Sequence, residues 1–318
     1  MIHGFQLIYS LGGSTGSRFG SSLITKIREE YPNRILSSFS MFPTTKISYS
    51  FVAEPYNALL SAQHLIENVD ETFCIENEAL RNISLHMLKF ARPTYFDFNH
   101  ITSMAMSGAT SSFRFPSQLN ADLHELAVSM IPFPKLHFLM FGCTPLTICN
   151  TVKLKLFKTS DLIQQLFDTR YMMTTYNPRN GRYLAASAMF RGPISMHYRL
   201  SITETSFHFP SQDLETQISN IRMTMIPGYI PKNIKLDICE IPTSGTKNTA
   251  GSLFNTTAIQ KIFTTIRLKY KAMFQHKIFF HWYKSEGMEE EEFMDADNTI
   301  KDLITEYQQY EGLPDDED

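Results

Sequence analysis

The stretch that decides the fold is "LIYSLGGSTGSRFGSSLITKIREEY", Leu7 to Tyr31. An apolar run over residues 5–10 reads as a buried strand and enters the turn Gly12-Gly13-Ser14-Thr15-Gly16-Ser17-Arg18. From Ser17 to Tyr31 the pattern is helical, with Phe19, Leu23, Ile24 and Ile27 at helical spacing and Pro32 as the stop. Backbone N–H groups in such a turn, together with the positive end of the following helix, form a site for an anion. The turn is not a P-loop, because no Gly-Lys-Ser/Thr closes it. It is not GxGxxG either, since the glycines fall at 12, 13, 16 and 20. A dinucleotide dehydrogenase would also need an acid ending the next strand, and "RILSSFSMF" ends without one. Taken alone, a Gly/Ser/Thr turn before a helix is most often a plain connection.

Working outward, "RILSSFSMF" is a second strand and "PTTKISYSFVAEP" a loop punctuated by Pro43 and Pro55. "YNALLSAQHLIENV" and "ENEALRNISLHMLKF" read as amphipathic helices, and "DFNHITSMAMSGATSSFRF" as a long apolar helix running through a core. Alternating elements of this kind follow parallel-sheet logic. After Pro116 the texture changes. "KLHFLMFG", "RYLAASAMFRG", "IKLDICEI" and "GSLFN" read as strands between longer loops, which points to a second α+β layer. From Thr256 the chain turns helical, in "TAIQKIFTTIRLKYKAMFQHKIFFHWY" and "NTIKDLITEYQQYEG".

The 318 residues are 43% apolar and 19% charged, a globular composition long enough for two cores. A formal net charge of -3 argues against a general nucleic-acid binder. The acid is gathered late, in "EGMEEEEFMDADN" and the final "EGLPDDED". Cys74, Cys143, Cys149 and Cys239 form no CxxC pair and have no His at finger spacing, so they read as reduced thiols of a cytosolic protein. No apolar run approaches the roughly 20 residues of a membrane span, and the start lacks the basic region of a signal peptide.

The run "GGSTGS" resembles the glycine-rich signature GGGTGSG of the tubulin family. The resemblance continues in order through "TKIREEYPNRI", "EPYNA", "DETFCIENEAL", "PTYFDFNH", "FPSQLNADL", "PFPKLHF", "YNPRNGRYL", "FRGPISM", "TTAIQKIF", "FHWYKSEGM" and "LITEYQQY". "EPYNA", "QLNADL" and the acidic tail are similar to the family's β type. The family has several strand–loop–helix units ahead of its glycine loop. The resemblance therefore implies an incomplete doubly wound, Rossmann-like GTPase domain over residues 1–116. An intermediate α+β two-layer sandwich over 117–255 would follow, then a C-terminal helical hairpin with an acidic tail over 256–318. It also implies that strand "FQLIYS" becomes a bare apolar edge.

The resemblance carries residue roles with it. Ser10, Gly12, Gly13, Ser14, Thr15, Gly16 and Ser17 match the loop that wraps the phosphates of GTP. Ser14 replaces the third glycine of the motif, where a side chain restricts φ, and Arg18 replaces the last, where it either contacts a phosphate or blocks its entry. Asn77 and Asn99 match the asparagines that read guanine, an amide carrying both donor and acceptor. Tyr95 matches the aromatic that stacks on the base, and Glu54 a ribose-contacting acid. Tyr49 stands where the family has Asp, beside a one-residue insertion between Lys46 and Glu54. Asn120, Asp122 and Glu125 match the loop and helix that one subunit presents to the next one's nucleotide. Glu125, where the β type has Lys and the α type the water-orienting Glu, could act there as a general base. No metal ligand is assigned. Mg²⁺ would accompany GTP, with the acid on its side among the units that precede the loop in the family.

Other departures are a divergent lateral-contact segment, "TPLTICNTVKLKLFKTSDL", and an insertion from His197. Ser84 and Ser112 occupy the positions of two reactive cysteines of the family. The implied partners are α-tubulin, neighbouring subunits, and motors and associated proteins at the acidic tail, in the cytoplasm and cytoskeleton, with no nucleic acid and no membrane. The alternative is a degenerate, truncated paralogue that neither binds GTP productively nor polymerises.

Overall fold

The computed structural model describes residues 2–43, 52–115, 123–146, 159–192, 234–243 and 248–312. Among these, seven strands form one sheet in the order β1-β2-β3-β4-β7-β5-β6. They are β1 (Gly4–Ser10), β2 (Ile35–Phe42), β3 (Glu71–Glu76), β4 (Phe138–Thr144), β5 (Tyr183–Arg191), β6 (Ile234–Cys239) and β7 (Thr249–Thr256). The pairings β1–β2, β2–β3, β3–β4 and β5–β6 are parallel. Only β7 is reversed, lying between β4 and β5. Six strands therefore share one polarity and present their carboxyl ends at the same side.

Strand β1 does not lie buried. It is the edge of the sheet, and its faces alternate: Phe5, Leu7 and Tyr9 lean on the core, while Ile8 is 64% exposed. With one neighbour, a strand has one covered face and one open edge. The helix after the turn buries only half of the stripe its spacing predicts, Ile24 and Ile27 packing on the core. A π-helical turn, Thr15–Gly20, runs straight into α1 (Ser21–Glu30). Ile24 is fully buried and Gly20 lies against the Tyr9 ring, whereas Phe19 (67% exposed) and Leu23 lie on the flank facing solvent. The close Gly20–Tyr9 approach sets the helix rotation, and residues one position back then point outward.

Strand β3 escapes the sequence reading, because "DETFCIE" carries acids at both ends and no turn signal before α3 (Asn77–Asn82). The strands expected to build a separate layer instead continue this sheet, through the short pairing of Thr72–Cys74 with Phe138–Met140. Buried main-chain groups on the free edge of β3 need partners, and β4 supplies them.

Both faces of the sheet are covered. On one, α2 (Glu54–Asn68), α8 (Gln260–Phe274) and α10 (Glu290–Glu311) bury Tyr56, Leu59, Phe138, Phe254, Phe263 and Phe293. On the other, Phe39 stacks on Phe73 at 4.3 Å, and Phe141 meets both edge-on. The expected core helix is broken at Thr110 into α4 (Tyr95–Ala109) and α5 (Ser111–Arg114). Its buried apolar stripe is Ile101/Ala105/Ala109, and Phe96 is 81% exposed.

Toward the C-terminus, the predicted helix from Thr257 breaks after α8. Lys277 and Phe279 take left-handed φ values of 49° and 56°, and α9 (Phe280–Ser285) then turns back. Helix α10 begins eight residues before its expected start and takes in the acidic run. The Glu289–Glu292 capping box closes its first turn, where acids meet the positive helix end. Arg267 grips Asp297 through two bonds, at 2.6 and 3.0 Å, and pins α8 against α10. The remaining helices used below are α6 (Leu123–Met130) and α7 (Thr159–Leu166). No helix among the described residues is long and apolar enough to cross a membrane.

Candidate functional site

The carboxyl ends of β1, β2 and β3 lie in register, with Ser10 beside Met41, Met41 beside Ile75 and Phe42 beside Glu76. In open α/β sheets this is the end where ligands bind. Three successive carbonyls of the glycine turn point inward. The Gly12 carbonyl accepts from Asn57 Nδ2 at 3.1 Å, and the Gly13 carbonyl from the Ser17 amide at 2.9 Å. The Ser14 carbonyl accepts from Ser17 Oγ at 3.3 Å. In a trans peptide the following N–H points the opposite way. The amides of Gly13, Ser14 and Thr15 thus face outward from the mouth of the loop. Three adjacent donors at a helix start form an anion nest.

The chain's side chains fit that cradle. Ser14 and Thr15 are exposed at its rim. Ser14 has φ -64° and ψ -43°, so the residue replacing a glycine carries no strain. Gly16 cannot be replaced as easily, because a methyl there would overlap the Ser10 carbonyl oxygen. Arg18 neither contacts the cradle nor blocks it. Its guanidinium reaches across to Met288 Sδ at 3.7 Å, in the groove where α1 and α2 face the C-terminal helices. Glu54, at the start of α2, packs its carboxylate against Gly12. Burial raises its pKa, and Lys269 counteracts the rise.

The three base-reading candidates lie on neighbouring helices. Asn77 is the first residue of α3, half-buried directly after β3. Tyr95 is the first residue of α4 and is 75% exposed, with the Phe98 ring in T-shaped contact at 5.9 Å. Asn99 follows one turn later, on the same face of the helix. Thr94 and Asp97 form a capping box with bonds of 2.7 and 2.8 Å, which fixes the helix start that carries Tyr95. Next door, Glu76 Oε2 accepts from the amide and hydroxyl of Thr175 at 2.6 and 2.7 Å, tying the end of β3 to the strand-linking segment. An open aromatic face beside two amides is suited to a planar base.

Glu125 stands elsewhere. It lies in the first turn of α6, half-exposed, with Lys235 Nζ 3.5 Å from its carboxylate. Lys235 belongs to the first residues of β6, and Asn255 of β7 bonds the Met130 and Leu136 carbonyls beside the start of β4. Both contacts put α6 at the amino ends of the parallel strands, the side opposite the glycine turn. Within one chain Glu125 and the cradle do not meet.

Asn120, Asp122, Tyr49, Lys46, residues 147–158 of the lateral-contact segment, the insertion from His197 and the final acidic residues lie outside the described residues. Among the described residues no three His, Cys, Asp or Glu side chains gather as a metal site. Cys74, Cys143 and Cys239 are buried free thiols, and burial pushes the Cys143 pKa up to about 12. Ser84 and Ser112, at the positions of reactive cysteines in the family, are buried as well. Two residues of the loop's surroundings carry no signal in the sequence beyond the family motifs that contain them. Asn57 was legible only as part of "EPYNA", and no spacing links it to Tyr283, whose hydroxyl meets its amide.

Residues 1–84 match the Tubulin/FtsZ family, GTPase domain, and residues 134–267 match the Tubulin C-terminal domain. The tubulin beta chain of Enteroctopus dofleini is 49% identical over 313 residues, which cover 98% of this chain and 66% of that protein. The tubulin beta-6 chain of Gallus gallus is 49% identical over 310 residues, covering 98% of this chain and 67% of its own length. The chain thus spans about two thirds of the length of these curated relatives.

Proposed function

The chain belongs to the tubulin family, and from that premise we propose that it is a β-tubulin-like subunit that binds GTP at the glycine turn and joins microtubules by head-to-tail contact. The outward amides of Gly13, Ser14 and Thr15 carry this reading, because three adjacent donors at a helix start, in a chain that also presents the exposed Tyr95 ring, suit a nucleoside triphosphate. In this reading the phosphates lie on the turn flanked by Ser10, Gly12, Gly16 and Ser17. Glu54 meets the ribose, Tyr95 stacks on the base, and Asn77 and Asn99 read the guanine edge. Mg²⁺, held mainly by the phosphates, would neutralise their charge.

Hydrolysis would be completed across the contact between subunits. Glu125, with Asn120 and Asp122, would come from one subunit and the cradle from the next, with Glu125 accepting a proton from the attacking water. We assign residues 1–116 to the nucleotide part, 117–255 to the intermediate part and 256–318 to the outer helical part with its acidic tail. The partners would be α-tubulin along the filament and basic motors or associated proteins at the tail, and the location the cytoplasmic cytoskeleton.

Thermal unfolding with and without GTP–Mg²⁺ tests the reading. A ligand that binds only the folded chain must raise the transition. The expected result is an upward shift with GTP that ATP does not reproduce, followed by co-sedimentation with α-tubulin polymer. A cooperative melt indifferent to both nucleotides would refute it.

A further inference from the structure

We propose that Asn57, locked by Tyr283, is the positioning residue of the glycine turn, holding the Gly12–Gly13 peptide in the orientation that points its N–H at the phosphates. The inference rests on the nucleotide reading above and adds how the cradle is held in shape. Gly12 and Gly13 form the softest point of the loop, since a glycine pair accepts both orientations of the peptide between them. Packing does not hold that peptide on the Gly13 side, where an added methyl would meet nothing within 4 Å. Glu54 packs against Gly12 on the other side, and the bond that orients the peptide itself is the one of 3.1 Å from Asn57 Nδ2 to the Gly12 carbonyl. If the peptide flips, a carbonyl oxygen replaces an N–H at the mouth of the cradle and repels the anion it should bind.

The orientation of the Asn57 amide follows from the same contacts. A carbonyl only accepts, so the Nδ2 side must face Gly12 and the Oδ1 side must face the other way. There the Tyr283 hydroxyl donates to Oδ1 at 2.7 Å. Tyr283 belongs to α9, 226 residues further along the chain. The turn before α9 is anchored independently by the Tyr56 hydroxyl, which donates to the Ile278 carbonyl at 2.9 Å. The C-terminal helices therefore reach the phosphate loop through one side-chain amide. Asn57 and Tyr283 also line the groove of about 500 Å³ that holds Arg18 and Met288. A change in the α9 position is thus felt at the Gly12–Gly13 peptide.

The test measures the dissociation constant of GTP–Mg²⁺ for the full chain by calorimetry, in the wild type and in Asn57→Ala, Tyr283→Phe and Tyr56→Phe. Loss of one net hydrogen bond corresponds to roughly 3- to 10-fold in affinity, with Asn57→Ala at the upper end and Tyr283→Phe at the lower. Tyr56→Phe loosens the same turn without touching the amide, and it keeps affinity within about 2-fold. Amide hydrogen exchange at Gly13, Ser14 and Thr15 in the nucleotide-free chain is the second readout, and it speeds up in Asn57→Ala and Tyr283→Phe only. Wild-type affinity together with unchanged exchange in both variants overturns the proposal. So does an equal loss in Tyr56→Phe, which would mean that docking of the helix is what matters. A wild type that binds no GTP overturns the nucleotide reading instead, and the exchange readout then decides the positioning role by itself.

Discussion

Glu71 offers the sharpest test of the packing described here. Its carboxyl sits at the start of β3, fully buried, and neither oxygen has a well-formed hydrogen bond among the described residues. Burial is the main cause that drives its pKa from the ordinary 4.5 to about 8; the Asp70 charge adds to the rise, and nearby Ser37 slightly offsets it. The folded chain therefore keeps this proton up to about pH 8, while the unfolded chain releases it above about 4.5. Between those values the folded state binds more protons, so stability falls as pH rises. At about 1.4 kcal/mol per pH unit, the fall across the whole window approaches 5 kcal/mol. Glu71→Gln keeps the shape and removes the titration. Chemical denaturation of wild type and variant from pH 5 to 8.5 isolates this group, because every other titration cancels in the difference. The variant should gain on the wild type by about 3 kcal/mol at pH 7, and the gain should shrink toward pH 5. A difference that stays flat across the window would refute the burial argument, and with it the close joining of β3 to β4.

Three further outcomes follow from particular contacts. Gly16→Ala forces the turn away from the Ser10 carbonyl, costing about 1–3 kcal/mol in denaturation and abolishing the GTP-induced rise in melting temperature, whereas Gly13→Ala, with open space around it, changes stability by under about 1 kcal/mol. Arg267→Ala removes both bonds to Asp297 and leaves it only Lys271 at 3.8 Å, costing about 1–2 kcal/mol, and Arg267→Lys recovers only part of it because an ammonium cannot make both bonds; urea midpoints read the difference. Thr94→Ala removes the cap of α4 and lowers stability by about 1 kcal/mol, with a matching rise in amide exchange over the first turn that carries Tyr95.

Much of the fold was legible because its signals are local. The glycine turn, the strands "RILSSFSMF" and "RYLAASAMFRG" and the late helices announce themselves by period and punctuation. What escaped is set by distant partners. Strand β3 reads poorly because Glu71 and Glu76 look like a surface segment, yet the sheet buries both and ties one Glu76 oxygen to Thr175, 99 residues away. Phe19 and Leu23 fit a buried helical stripe by spacing, but Gly20 against Tyr9 turns the helix the other way. At the site, family motifs point to the loop and to the residues proposed to read a base. The direction of Arg18 and the link from Tyr283 through Asn57 depend on how two ends of the chain meet, which no local pattern carries.

The polarity of the sheet supports the proposal that the chain acts in a row of subunits. The cradle lies at the carboxyl ends of the parallel strands and Glu125 near their amino ends. A strand of six or seven residues rises about 20 Å at roughly 3.3 Å per residue, so an acid on α6 cannot approach a phosphate on its own glycine turn. Only a second subunit stacked in the same orientation could bring the two together. Contact between unlike ends does not close on itself with two-fold symmetry, and repeated without rotation to closure it yields a filament. The requirement can be tested without resolving any structure. If Glu125 completes a neighbour's site, hydrolysis per chain should rise with concentration toward the assembly threshold, and Glu125→Gln should remove that rise while leaving the GTP-induced increase in melting temperature intact. A hydrolysis rate per chain that is independent of concentration would leave Glu125 as an ordinary partner of Lys235.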